Sequence, residues 1–124
     1  MHALLVVSHG SRRHQSNEEV SLLCDCLKQQ MSGQFDLVHP AFLEIAAPSI
    51  PQGIQQCVDL GATAITVLPY FLAAGRHVSE DIPCIVDSAR KDFPDIDFTV
   101  TPHVGAFTAM PQLISDGAKS FGKA

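Results

Sequence analysis

A chain of 124 residues carries thirteen acidic and eight basic side chains, for a net charge of −5 with its six histidines neutral. That is enough chain to bury the core of one domain, residues 1–124, and too little positive charge for a nucleic-acid partner, whose phosphates need Lys and Arg to neutralise them. The longest N-terminal apolar run, Ala3 to Val7, has no basic residue before it and is too short for a secretion signal or a membrane span. A cytoplasmic protein without a membrane segment is therefore expected.

Apolar runs of strand length alternate with stretches of helical period, the pattern of right-handed βαβ units and a parallel sheet. The first strand is Ala3 to Val7. The helix after it opens with Ser16 and Glu19 at capping-box spacing, carries Val20, Leu23, Leu27 and Met31 on one stripe, and ends with Gly33 as its C′ residue. The second strand, about Asp36 to Leu43, contains Pro40, which cannot donate a ladder hydrogen bond and so belongs at a sheet edge. A second helix starts near Pro48 to Pro51 and runs past Ile54, Cys57 and Val58 to Gly61.

The third strand, Ala64 to Leu68, is apolar without alternation and is expected inside the sheet, buried on both faces. A loop from Pro69 to Glu80 leads to a helix capped by Asp81, with Pro83 in its first turn and Ile82, Ile85, Val86, Ala89 and Phe93 turned inward. Ile96 to Thr101 alternates as the other edge strand, and a last helix begins near Thr108. The edge proline selects a flavodoxin-like order, 2-1-3-4, for a four-stranded parallel sheet flanked by helices in three layers.

Ligands of open parallel sheets bind beyond the carboxyl ends of the strands. That order sets three polar residues side by side there: His9 after the first strand, Glu44 after the second, and His77 on the loop after the third. Two imidazoles and a carboxylate with open coordination positions suit a divalent first-row metal that must arrive and leave, and the same groups accept protons. Arg12, Arg13 and Arg76 lie in the loops that carry the histidines, a local positive patch that favours a carboxylate or phosphate ligand. Set against these, Glu44 alone is equally explained as a carboxylate favouring a helix N-terminus. His2 reads as frayed surface and His39 as an edge or packing residue. His14 lies near an anion-favouring helix start, and His103, two strands from His9, is at most peripheral. Cys24, Cys26, Cys57 and Cys84 contain no Cys-x-x-Cys pair and read as buried, reduced thiols.

Ser8-His9-Gly10-Ser11, Phe42-Leu43-Glu44 with Pro48-Ser49-Ile50, and the run Pro69 to Pro83 ending Gly75-Arg76-His77-Val78-Ser79-Glu80-Asp81-Ile82-Pro83 follow one another across the chain. In that order and spacing they resemble the sirohydrochlorin chelatases of the small CbiX type, relatives of the class II chelatases that include ferrochelatase and the cobalt chelatases. The resemblance implies insertion of a divalent metal, cobalt, iron or nickel, into sirohydrochlorin, a tetrapyrrole with eight carboxylates, on a route to cobalamin or sirohaem. The metal is then a substrate and no tightly bound cofactor is expected. Carried over by position, His9 and His77 are the principal metal ligands and Glu44 assists them. Ser11, Arg12, Arg13 and Arg76 would meet the substrate's polar rim, with Phe71 and Leu72 along the macrocycle face. Small members are expected to form homodimers whose paired lobes enclose the macrocycle. Pro102-His103-Val104-Gly105 departs from the pattern, with a histidine where an apolar residue is expected before the glycine.

A histidine phosphatase also places His-Gly after its first strand, but wants Arg before the histidine, where this chain has Ser8. No Gly-x-Ser-x-Gly elbow marks a hydrolase. A non-catalytic metal or tetrapyrrole carrier would use the same pocket, and multiple turnovers per subunit would separate it from an enzyme.

Overall fold

The alternating pattern becomes a four-stranded parallel sheet in the order β2-β1-β3-β4 in the computed structural model, which describes residues 1–122 and, at His77, the backbone alone. The strands are β1 (His2–Ser8), β2 (Leu37–Phe42), β3 (Ala64–Pro69) and β4 (Asp97–Val100). The helices are α1 (His14–Gln30), α2 (Ile50–Asp59), α3 (Ile82–Asp92) and α4 (Met110–Phe121). The expected order and edge strands are present, with Pro40 on edge strand β2, where its missing N–H costs no ladder bond. Register aligns Ser8 with Phe42 and Val7 with Pro69, so the segments beginning at His9, Leu43 and Tyr70 leave the sheet at nearly one level.

Alternation along β1 splits its side chains between two cores. Ala3, Leu5 and Val7 enter the larger one, with Ile54 of α2, Ile82 and Val86 of α3, Ile65 and Val67 of β3, and Phe98 of β4. Leu4 and Val6 enter the smaller one, with Val20 and Cys24 of α1 and Val38 and Phe42 of β2. Each Val, Leu, Ile or Phe side chain among them taken from water contributes about 1.5–3 kcal/mol toward offsetting chain entropy.

Several local expectations give way to tertiary context. Ser16 and Glu19 do not form a capping box: α1 already begins at His14, its N-cap is Arg13, and the Arg13 N–H donates to Ser11 Oγ at 3.0 Å. Gly33, with φ +92°, lies beyond the C-cap Met31 in the following turn rather than at C′. The capping box belongs to α2, where the Gln52 N–H donates to Ser49 Oγ at 3.2 Å and Gln52 Oε1 accepts from the Ser49 N–H at 2.9 Å. Asp81 occupies the N-cap position of α3 without a side-chain cap, because a π-helical turn, His77–Asp81, already leads into the helix and takes up part of the expected loop. Cys24 and Cys57 are buried as expected, but Cys26 and Cys84 are exposed, and all four are free. Strand β3 is interior, yet only Ile65, Val67 and Pro69 are fully buried; Ala64, Thr66 and Leu68, on its other face, are partly buried, with Leu68 packed against the smaller core.

Candidate functional site

The strand ends bring His9 and Glu44 together: Nε2 of His9 lies 2.7 Å from Oε1 of Glu44, with about half of each side chain exposed (46% and 52%). Backbone geometry enforces the meeting. The Leu43 N–H donates to the Ser8 carbonyl at 2.9 Å and the Glu44 N–H to the His9 carbonyl at 3.1 Å, extending β1–β2 pairing past the last ladder residues. Between them Gly10 adopts φ +95°, and a Cβ there would lie 1.9 Å from the Glu44 carbonyl oxygen. Only glycine admits both that conformation and that approach. The chain then turns through Ile45, a β-branched residue at φ +71° that is exposed, a strained backbone immediately after the carboxylate.

A side chain that sequence reasoning did not single out holds the loop after β1. Asn17, in the first turn of α1, accepts from the Ser11 N–H at 3.0 Å and donates through Nδ2 to the Ser11 carbonyl at 2.7 Å. An asparagine six positions along carries no periodic signal; only the fold makes it a brace. Ser11, expected to face substrate, spends its backbone on Asn17 and its Oγ on the Arg13 N–H.

Arg12, Arg13 and Arg76 are all exposed around this edge. Arg13 reaches Gln15 Oε1 at 3.4 Å, and Arg76 Nε lies 3.8 Å from Glu80 Oε2, a loose, solvated contact. The expected aromatic and aliphatic pair divides: Phe71 packs on the larger core, whereas Leu72 is exposed. The backbone of His77 opens the turn ahead of α3, and its side chain lies outside the described residues. His103 is at the N-cap of a short 3-10 turn, Val104–Ala106.

Next to Glu44 a cavity of about 300 Å³ is lined by Leu43, Glu44, Asp81, Cys84 and Ile85. A larger groove of about 460 Å³ runs along α2 and α3 and includes neither His9 nor Glu44. Among the described residues no group of three or more His, Cys, Asp and Glu side chains is arranged around one point as a preformed metal cage. The His9–Glu44 pair is an open, half-solvated set of nitrogen and oxygen donors, able to hold a cation loosely.

The other titratable groups are set by burial. Burial, with the nearby Asp25 charge, pushes the Cys24 thiol up to about 12; burial alone pushes Cys57 up to about 11. Neither is a reactive thiolate. Burial, then the Lys28 charge, lowers His39 below its usual 6.5, so this edge-strand imidazole stays neutral. No helix among the described residues is long and apolar enough to cross a membrane.

The CbiX family model matches residues 3–120. The chain is 34% identical over 113 residues to the chloroplastic sirohydrochlorin ferrochelatase of Arabidopsis thaliana, covering 91% of this chain and 49% of that protein. To a sirohydrochlorin cobaltochelatase of Methanococcus maripaludis it is 38% identical over 92 residues, covering 74% of this chain and 62% of that one. Its fold is similar to the sirohydrochlorin chelatase SirB from Bacillus subtilis subspecies spizizenii in complex with cobalt, with a TM-score of 0.83 at 28% identity, covering 97% of this chain and 50% of the other. The chain spans about half the length of the plant and Bacillus proteins and 62% of the methanogen one.

Proposed function

The chain belongs to the CbiX family, and from that premise we propose that it inserts a divalent metal ion, cobalt or iron, into sirohydrochlorin. The meeting of His9 and Glu44 at 2.7 Å, at the carboxyl ends of adjacent strands, carries this reading. Its support from relatives is that the plant and methanogen proteins are a sirohydrochlorin ferrochelatase and a sirohydrochlorin cobaltochelatase.

Insertion exchanges one dication for two pyrrole protons. The metal must be partly stripped of water but bound weakly enough to be released, the macrocycle must bend so that its nitrogen lone pairs are exposed, and bases must take the protons. His9, His77 and Glu44 fill the first role: two imidazoles and one carboxylate bind a first-row dication without enclosing it. As the metal passes to the macrocycle nitrogens, the same imidazoles and carboxylate become free to accept the released protons, so one set of groups serves both half-steps.

Bending the macrocycle costs energy that must come from binding elsewhere on the substrate. Arg12, Arg13 and Arg76, exposed on the loops around the pair, would hold peripheral carboxylates. Leu72 and Ile45 present apolar surface beside them. Phe71 supports the loop from the core side, and Ser11 anchors the loop that carries His9. A single lobe offers one such edge, and two copies would enclose the ring. The four free thiols fit a reducing compartment, and the cytoplasm is the proposed location.

Purified protein supplied with sirohydrochlorin and Co²⁺, Fe²⁺ or Ni²⁺ should give many equivalents of metallated product per subunit, followed by the shift in the tetrapyrrole absorption bands. Stoichiometric product without turnover would make the chain a carrier. Full activity in both His9→Ala and His77→Ala would move the site elsewhere.

A further inference from the structure

Ile45 stands at φ +71°, and among the described residues no other non-glycine has a positive φ. The Ala46 N–H donates to the Glu44 carbonyl at 2.7 Å, which closes a three-residue γ-turn with Ile45 at its centre. That hand of γ-turn is the rare, strained one, and a β-branched side chain is among the least suited to it. Glycine or asparagine would take the same backbone far more readily.

The turn is held in place by its surroundings. The Phe42 N–H donates to the Pro48 carbonyl at 2.8 Å, so the segment 43–48 is pinned at both ends. Leu43 packs against the larger core and Ala46 against the smaller one. Between these anchors Glu44 and Ile45 are both exposed, and Ile45 keeps 60% of its surface in water. The isoleucine thus carries backbone strain with little burial to offset it in the free chain. Strain of this kind clusters where ligands are clamped.

We infer that Ile45 is a substrate contact: its side chain lies under the apolar face of the macrocycle beside the metal donors, and burial there offsets the strain of the turn. Glu44 Oε1 lies 2.7 Å from His9 Nε2, and Ile45 is the next residue, its Cα about 3.8 Å from that of Glu44. A ring whose nitrogens come over the pair therefore brings its apolar face over Ile45, while its peripheral carboxylates extend outward to the exposed arginines. A small hydrated anion would leave the side chain as wet as before. This rests on the chelatase reading and deepens it by naming a residue that selects a broad apolar ring over a small anion.

The test opposes stability to binding. Ile45→Gly should raise the thermal midpoint by roughly 3 °C as the strain is relieved, and Ile45→Asn should melt no lower than wild type. Both should bind metal-free sirohydrochlorin, titrated by its absorption bands, about 5- to 30-fold more weakly, with Ile45→Val between them and wild type. The KM for Co²⁺ should stay the same in all three. A Gly variant that binds the ring as wild type does, or that melts below wild type, overturns the inference. A KM for Co²⁺ that rises in step overturns it in favour of Ile45 acting through the placing of Glu44, and a changed mass in light scattering overturns it in favour of a contact between copies. Insertion by the wild type is assayed in parallel. An active wild type with an unchanged Gly variant sinks Ile45 alone; a wild type that binds the ring without metallating it, with the variants weakened as expected, sinks the chelatase reading alone.

Discussion

The loop after β1 and the loop after β3 reach the same edge of the sheet by different means. After β1, every residue from His9 to Ser11 is tied to another element: the His9 carbonyl to the Glu44 N–H, Gly10 against the Glu44 carbonyl, and Ser11 to Asn17 on both sides of its peptide. After β3, Tyr70 donates to the Val7 carbonyl and Phe71 accepts from the Gly105 N–H, and then residues 72–76 are all exposed. Bonds further along are local, with Val78 N–H, Ser79 N–H and Ser79 Oγ all donating to the Gly75 carbonyl. The first loop holds the His9–Glu44 pair to a fixed distance, as the proposed metal handling would require; the second is exposed and tied mainly to itself, which under the same proposal leaves it room to adjust to a large anionic ring.

Gly10→Ala should break the tied loop most severely. Its Cβ meets a backbone oxygen that cannot rotate away, at a φ that alanine disfavours, so a loss of about 3 kcal/mol or more is expected in denaturant unfolding. Gly75→Ala is the matched control: nothing lies within 4 Å of a Cβ there, and unfolding and insertion should both stay close to wild type. If the two substitutions behave alike, the contrast between the loops is wrong.

His9→Ala should leave the thermal midpoint nearly unchanged, because the side chain is half exposed, while kcat for insertion falls by more than the ~10–100-fold that losing a metal's outer partner costs. Asn17→Ala removes two hydrogen bonds from the brace, for about 1–2 kcal/mol of stability. A smaller fall in kcat should accompany it as His9 and Glu44 lose their fixed separation, and unchanged stability would strip Asn17 of its role. On the adaptable side, Arg76→Glu should raise the KM for sirohydrochlorin by ~5-fold at low salt, with the difference shrinking as salt screens it. Folding should be untouched, since its partner Glu80 is exposed and distant.

The smallest effect lies away from both loops. His39 titrates below 6.5 when folded and near 6.5 when unfolded, so the unfolded chain takes up the proton first as pH falls. Its contribution to stability is complete above that value and is lost as pH drops through the lowered folded value. Unfolding at pH 7.5 and 5.5 should therefore show a larger decrease for wild type than for His39→Gln.

Much of the fold was legible because its signals are local. Pro40 lacks a donor wherever it sits, so an edge strand follows from the residue itself, and with it the order that sets the ends of β1 and β2 side by side. That order is why His9 and Glu44 could be paired from the sequence. Capping was less legible: Ser16-x-x-Glu19 has the right spacing, but Ser11 and Asn17 hold the chain so that α1 starts earlier. Exposure of Cys26 and Cys84 and the incomplete burial of the second face of β3 depend on which neighbours arrive, and an apolar strand reads alike whether one face or two are fully covered.

The sequence by itself determined the alternation of strands and helices, the edge position of β2 and the placing of His9 and Glu44 beyond adjacent strands, since periodicity and a missing N–H act within a few residues. Tertiary structure alone decided the 2.7 Å contact, the close approach that Gly10 permits, the Asn17 brace and the incomplete burial of the second face of β3. Those are set by register and packing between segments far apart in the chain, where a shift of one residue turns every side chain to the opposite face.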